Sequence, residues 1–137
     1  EMIWIGGGAG MAPLRSQIMH MLKTLHTRDR EMHYFYGARS LSEAFFLDDF
    51  FELEKEYPNF HFHLALDRPD PKADEAGVPY TAGFVAPVLY DTYLKDHDAP
   101  EDIEYYLCGP PMMSKTVLDV FDKLGVEPEN IRYDNFG

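Results

Sequence analysis

Apolar positions along this chain switch repeatedly between a period of two residues and a period of about 3.6, which predicts strands and helices in succession. Met2–Ile5 is a short apolar run and reads as a first strand. From Pro13 to about Thr27, Leu14, Ile18, Met21, Leu22 and Leu25 fall on one helical face. Aromatic-rich Met32–Tyr36, bounded by Gly37, predicts a second strand. Asp48 to Tyr57 opens on acidic residues, which suit a helix N-terminus, and Pro58 stops it. In Phe60–Leu66 the phenylalanines and leucines take one face and His61, His63 and Ala65 the other, the pattern of a half-buried strand at a sheet edge.

The second half continues in the same way. Phe84–Leu94 predicts a helix interrupted early by Pro87, and Tyr105–Cys108 a fourth strand. Met113, Val117, Val120, Phe121 and Leu124 mark the inner face of a last helix, ended by Gly125, and Ile131–Tyr133 supplies a final strand. Regular alternation of this kind predicts an α/β fold: an open, parallel, twisted sheet of about five strands flanked by helices, Rossmann-like. Only Asp67 to Gly83, with Pro69, Pro71, Gly77 and Pro79, is predicted to be irregular, a functional loop within the domain.

Length and charge narrow the classes. The 137 residues, 45% hydrophobic, suffice for one core and one domain, 1–137. A net charge of -12 opposes attraction to nucleic acid or an anionic membrane surface. The single cysteine, Cys108, excludes an internal disulfide. No apolar run approaches the ~20 residues of a membrane span. A chain that opens directly on a core strand, with Glu1 rather than Met, is expected to be a domain of a longer protein.

Two turns carry the chemistry. Gly6-Gly7-Gly8-Ala9-Gly10-Met11-Ala12-Pro13 follows the first strand, and removing side chains there lets backbone N–H groups and a helix N-terminus face a phosphate. Cys108-Gly109-Pro110-Pro111-Met112-Met113 repeats the passage from strand through glycine and proline into a helix. Two such turns at the carboxyl ends of parallel strands would line one crevice. From the residues alone, Cys108 is an ordinary buried strand cysteine and Asp67 a turn residue before Arg68-Pro69. His61 and His63 share a face, with no carboxylate or third imidazole placed by the sequence to complete a metal site, so no metal is expected.

Gly8-x-Gly10-x-x-Pro13, Cys108-Gly109-Pro110 and an aromatic near the C-terminus resemble the nicotinamide-nucleotide half of the ferredoxin-NADP reductase superfamily. Gly6 to Arg15, Tyr36 to Ser40, Tyr93 to His97, Ala99 to Asp102, Cys108 to Met113 and Asp134 to Gly137 more closely resemble the family of F subunits of sodium-translocating NADH:quinone oxidoreductases, across nearly the whole chain. The resemblance implies that the domain binds NADH and presents it to FAD on a neighbouring barrel domain of the same subunit. Electrons then pass to a [2Fe–2S] centre and quinone in a sodium-pumping membrane complex. It implies that the full subunit is membrane-anchored at the cytoplasmic face of a bacterial inner membrane. The domain by itself would hold neither FAD nor [2Fe–2S], would not enter the membrane, and would be inactive alone.

Site residues follow from the same resemblance. Gly8, Gly10, Met11, Ala12 and Pro13 would cradle the pyrophosphate; Gly37, Ala38, Arg39 and Asp67 would meet the adenosine end, with Asp67 favouring NADH over NADPH. Cys108, Gly109, Pro110, Pro111 and Met112 would hold the nicotinamide side, Cys108 placing the ring and Phe136 shielding the flavin. Two other assignments stay open: the NADH-binding domain of an oxygenase reductase component, and a non-catalytic nucleotide-binding module.

Overall fold

The computed structural model describes residues 1–7, 11–25, 30–41 and 47–135, with the backbone alone of 11–13 and 133–135. Six strands, β1 (Met2–Gly7), β2 (Met32–Ala38), β3 (Phe60–Leu66), β4 (Thr81–Ala82), β5 (Glu104–Gly109) and β6 (Ile131–Asn135), form one sheet in the order β4-β3-β2-β1-β5-β6. Every pairing is parallel. The helices between them are α1 (Met11–Met19), α2 (Leu47–Glu56), α3 (Pro71–Ala76), α4 (Val85–Thr92) and α5 (Pro111–Lys123).

Strand alternation divides the core in two. Trp4, Tyr34, Tyr36, Phe62 and Cys108 face α1 and α2, meeting Leu14, Ile18, Leu22, Phe50 and Leu53. Ile3, Ile5, Phe35, Tyr105 and Leu107 face α4 and α5, meeting Val85, Leu89, Val117 and Phe121. Helices therefore cover both faces, as continuous apolar strands of a parallel sheet require. The open edge of β3 is blunted by a side chain: the Phe62 N–H donates to Glu54 Oε2 at 3.0 Å.

Three sequence expectations change. The first helix passes at His20 into a π-helical turn, His20–Thr24, closed by the Leu25 N–H on the His20 carbonyl at 3.0 Å. That wider turn ends the helical register, so Leu25 is 56% exposed rather than on the buried face. The stretch from Asp67 to Gly83 is not irregular throughout, since it holds α3 and β4. Asp70 caps α3 by accepting from Lys72 N and Ala73 N, with Pro71 at the first helical position. The Asp70 carboxylate also accepts from Leu41 N at 2.8 Å, and these backbone donors, Leu41 first, hold its pKa below the ordinary 3.8. Finally, Pro87 lies in the first turn of α4, where its missing N–H breaks no helical bond, and the helix runs on without interruption.

Candidate functional site

Strand order reverses beside β1: the chain moves outward through β2, β3 and β4, then crosses back to β5 and β6. A crevice is expected outside the carboxyl ends of the strands at such a switch point. A cavity of about 1230 Å³ lies there, between α4 and α5 and above the ends of β1 and β2. It brings together Gly37, Ala38, Arg39, Asp67, Pro110 and Met112, six of the residues singled out by sequence. Gly7 joins them on the floor.

The floor is free of side chains for a steric reason. Gly7 and Gly37 are partners in the β1–β2 ladder. A Cβ on Gly7 would stand 2.6 Å from Met113 Sδ, one on Gly109 2.5 Å from Met113 Cε, and one on Gly37 3.0 Å from Val85 Cβ. Glycine at these positions thus lets Met113 of α5 and Val85 of α4 pack directly on the strand ends. Asp67 is anchored beside β2 by its own N–H, which donates to the Ala38 carbonyl at 3.1 Å. Arg39 and Asp67, far apart in sequence, therefore converge at one end of the cavity. Buried Ser114 fixes the turn into α5, its N–H donating to the Pro110 carbonyl at 3.0 Å.

Sequence reasoning missed the cavity's walls. Phe84, Tyr90 and Met112 are 64%, 38% and 75% exposed, and all three line it. Such a concentration of exposed apolar side chains at a cleft is the surface signature of a ligand or a docked neighbour. Of these, sequence analysis singled out only Met112; Phe84 and Tyr90 stand in segments legible as helix but not as wall.

The remaining predicted residues fall elsewhere. Cys108 does not line the cavity: it is 1% exposed and its side chain joins the core on the opposite face, under α1. Gly109 is buried and Pro111 exposed at the start of α5. Met11, Ala12 and Pro13 form the first turn of α1, while Gly8, Gly10 and Phe136 lie outside the described residues.

Comparison with known proteins decides the family. The model of the oxidoreductase NAD-binding domain family matches residues 4–119. This chain belongs to that family. Its matched span, β1 through most of α5, contains the whole crevice floor. Over all 137 residues the NAD-binding domain is 53% identical to the F subunit of the Na(+)-translocating NADH-quinone reductase of Actinobacillus succinogenes, and 51% to that of Pseudomonas aeruginosa. The chain spans about a third of these relatives' length, 32% and 33%. Among solved structures, it is similar to an Amycolatopsis cytochrome P450 reductase, with a TM-score of 0.78 and 30% identity over 98% of this chain and 37% of that one. A ferredoxin NADP+ reductase of Neisseria gonorrhoeae shares the fold at a TM-score of 0.74 and 18% identity, covering 98% of this chain and 55% of that one. The resemblance read from the motifs, and the parallel α/β fold, both hold. The sheet has six strands rather than about five, the addition being two-residue β4.

Proposed function

We propose that this chain is the NADH-binding domain of the F subunit in a sodium-translocating NADH:quinone oxidoreductase, which delivers hydride to FAD on a neighbouring domain. The supporting observation is the switch-point crevice, into which Gly7 and Gly37 present bare backbone beside Ala38, Arg39 and Asp67. When bound, NADH supplies a hydride from C4 of its nicotinamide. The protein's part is to bind and aim it. The backbone N–H groups of Met11 and Ala12, opening α1 behind Gly8 and Gly10, face the pyrophosphate, and Pro13, which has no N–H to offer, fixes the helical turn behind them. Asp67 accepts from a ribose 2′-hydroxyl and repels a 2′-phosphate, and Arg39 meets the adenosine end. Pro110 and Met112 bound the nicotinamide side, with Cys108 placing the ring and Phe136 shielding the flavin.

One cysteine cannot ligate a [2Fe–2S] cluster, which takes four protein ligands, so that centre belongs to other parts of the subunit. FAD, the cluster and the membrane anchor are assigned to other parts of the subunit, quinone to the complex that finally receives the electrons, and the domain alone to half of the active site. The test uses a chain that includes the flavin barrel. NADH is expected to bleach the flavin absorbance, and a flavin that stays oxidised overturns the assignment.

A further inference from the structure

At the opposite end of the sheet, three imidazoles and a carboxylate that are scattered in sequence meet on the α4 side. Parallel register sets His33 of β2 directly beside His61 of β3, their rings stacked at 4.7 Å. Glu31 stands two residues before His33 and so shares its face. Glu31 Oε1 lies 2.6 Å from His61 Nε2 and 3.4 Å from His33 Nε2. The three ligand-type atoms all fall within 4.8 Å of one another. The sequence expectation that no third imidazole or carboxylate would join His61 and His63 is corrected here, because strand register, which a single sequence does not disclose, supplies both.

We infer that Glu31, His33 and His61 form a binding site for a divalent transition cation of the zinc class. Metal–ligand bonds of about 2.0–2.2 Å in a tetrahedral shell put ligand atoms about 3.3 Å apart. The Glu31–His33 pair already has this spacing, and Glu31–His61 reaches it by opening about 0.7 Å on an exposed flank. Two imidazoles with one carboxylate favour zinc, cobalt, nickel or copper over magnesium or calcium, which take oxygen.

The second layer is also present. His33 Nδ1 and His63 Nε2 are 3.1 Å apart. When His33 donates its Nδ1–H to His63, its Nε2 lone pair turns toward the Glu31 carboxylate, an opposition that a cation between them relieves. Buried His33, packed against Tyr93 at 4.3 Å, is thereby held in one orientation. His61 and Glu31 have side chains 37% and 47% exposed, which leaves an entry path and room for a water as fourth ligand. The site is about 13 Å along β2 from Gly37, so it stands independently of the nucleotide reading.

The experiment uses the untagged chain, freed of metal by chelator and titrated with CoCl2 and then ZnCl2. Expected is one ion per chain, a visible cobalt ligand-field band displaced by zinc, and a higher Tm with zinc. Glu31→Gln at an exposed position and His61→Gln at a half-buried one should each weaken binding by at least about tenfold. His20→Gln, an exposed imidazole outside the cluster, should leave it unchanged. No cobalt band in the parent chain overturns the site, as does binding that survives both ligand substitutions in variants shown to be folded by circular dichroism.

Discussion

Replacing Tyr34 with Phe should stabilise the protein. Tyr34 is fully buried, with its ring 4.9 Å from Phe50, 5.7 Å from Phe62 and 5.9 Å from Tyr36. Its hydroxyl finds no hydrogen-bond partner among the described residues. It lies over the glycine turn, where a Cβ on Gly6 would come within 2.8 Å of the oxygen. The same burial pushes its pKa well above 10. A buried hydroxyl without a partner costs about 1–3 kcal/mol, whereas the ring contacts are common to Phe. Tyr34→Phe should therefore raise stability by about 1–3 kcal/mol, or roughly 3–10 °C in Tm for a chain of this length. Calorimetry or denaturant titration of the two proteins reads the difference. A lower Tm for the Phe variant would mean that the hydroxyl has an acceptor, and would refute the reasoning.

Two further outcomes can be checked directly. Burial, reinforced by neighbouring imidazoles, lowers the pKa of His33 to about 3 and of His63 to about 4, below the ordinary 6.5. Their contribution is complete above pH 6.5 and is lost as pH falls toward those values, because only the unfolded chain takes up the protons. In chelated buffer, stability should drop between pH 7 and pH 5 by up to about 2 kcal/mol per imidazole, and equal denaturation midpoints at the two pH values would contradict this. In the flavin-containing protein, Asp67→Ser should shift the preference for NADH over NADPH by about tenfold toward NADPH, as befits removal of one carboxylate about 5 Å from a phosphate dianion in a wet site. An unchanged ratio in flavin-reduction assays would take Asp67 out of the specificity pocket.

What was legible in this sequence was local. The periodicity of Val117, Val120, Phe121 and Leu124 marks α5 because a helix face repeats within a few residues, and Gly125, at φ 75°, closes it where a Cβ would strain the backbone. Glycine-to-proline turns behind β1 and β5 were legible by the same local logic. Helix α3 was missed although Asp70-Pro71 carries a cap and a first-turn proline, since six residues are too few for periodicity to declare itself. The π-helical turn at His20–Thr24 left no mark in the apolar pattern at all.

Features that depend on register stayed hidden for a different reason. Nothing within β2 or β3 alone places His33 opposite His61, and nothing near Asp67 announces that its N–H closes on Ala38. Cys108 shows the same limit from the other side. Its motif puts it beside the crevice, yet β5 alternation turns its side chain under α1 while the bare neighbour Gly109 abuts Met113. Glycine at positions 7 and 109 leaves room there for Met113, whose thioether would lie within 2.6 Å of a Cβ at either position.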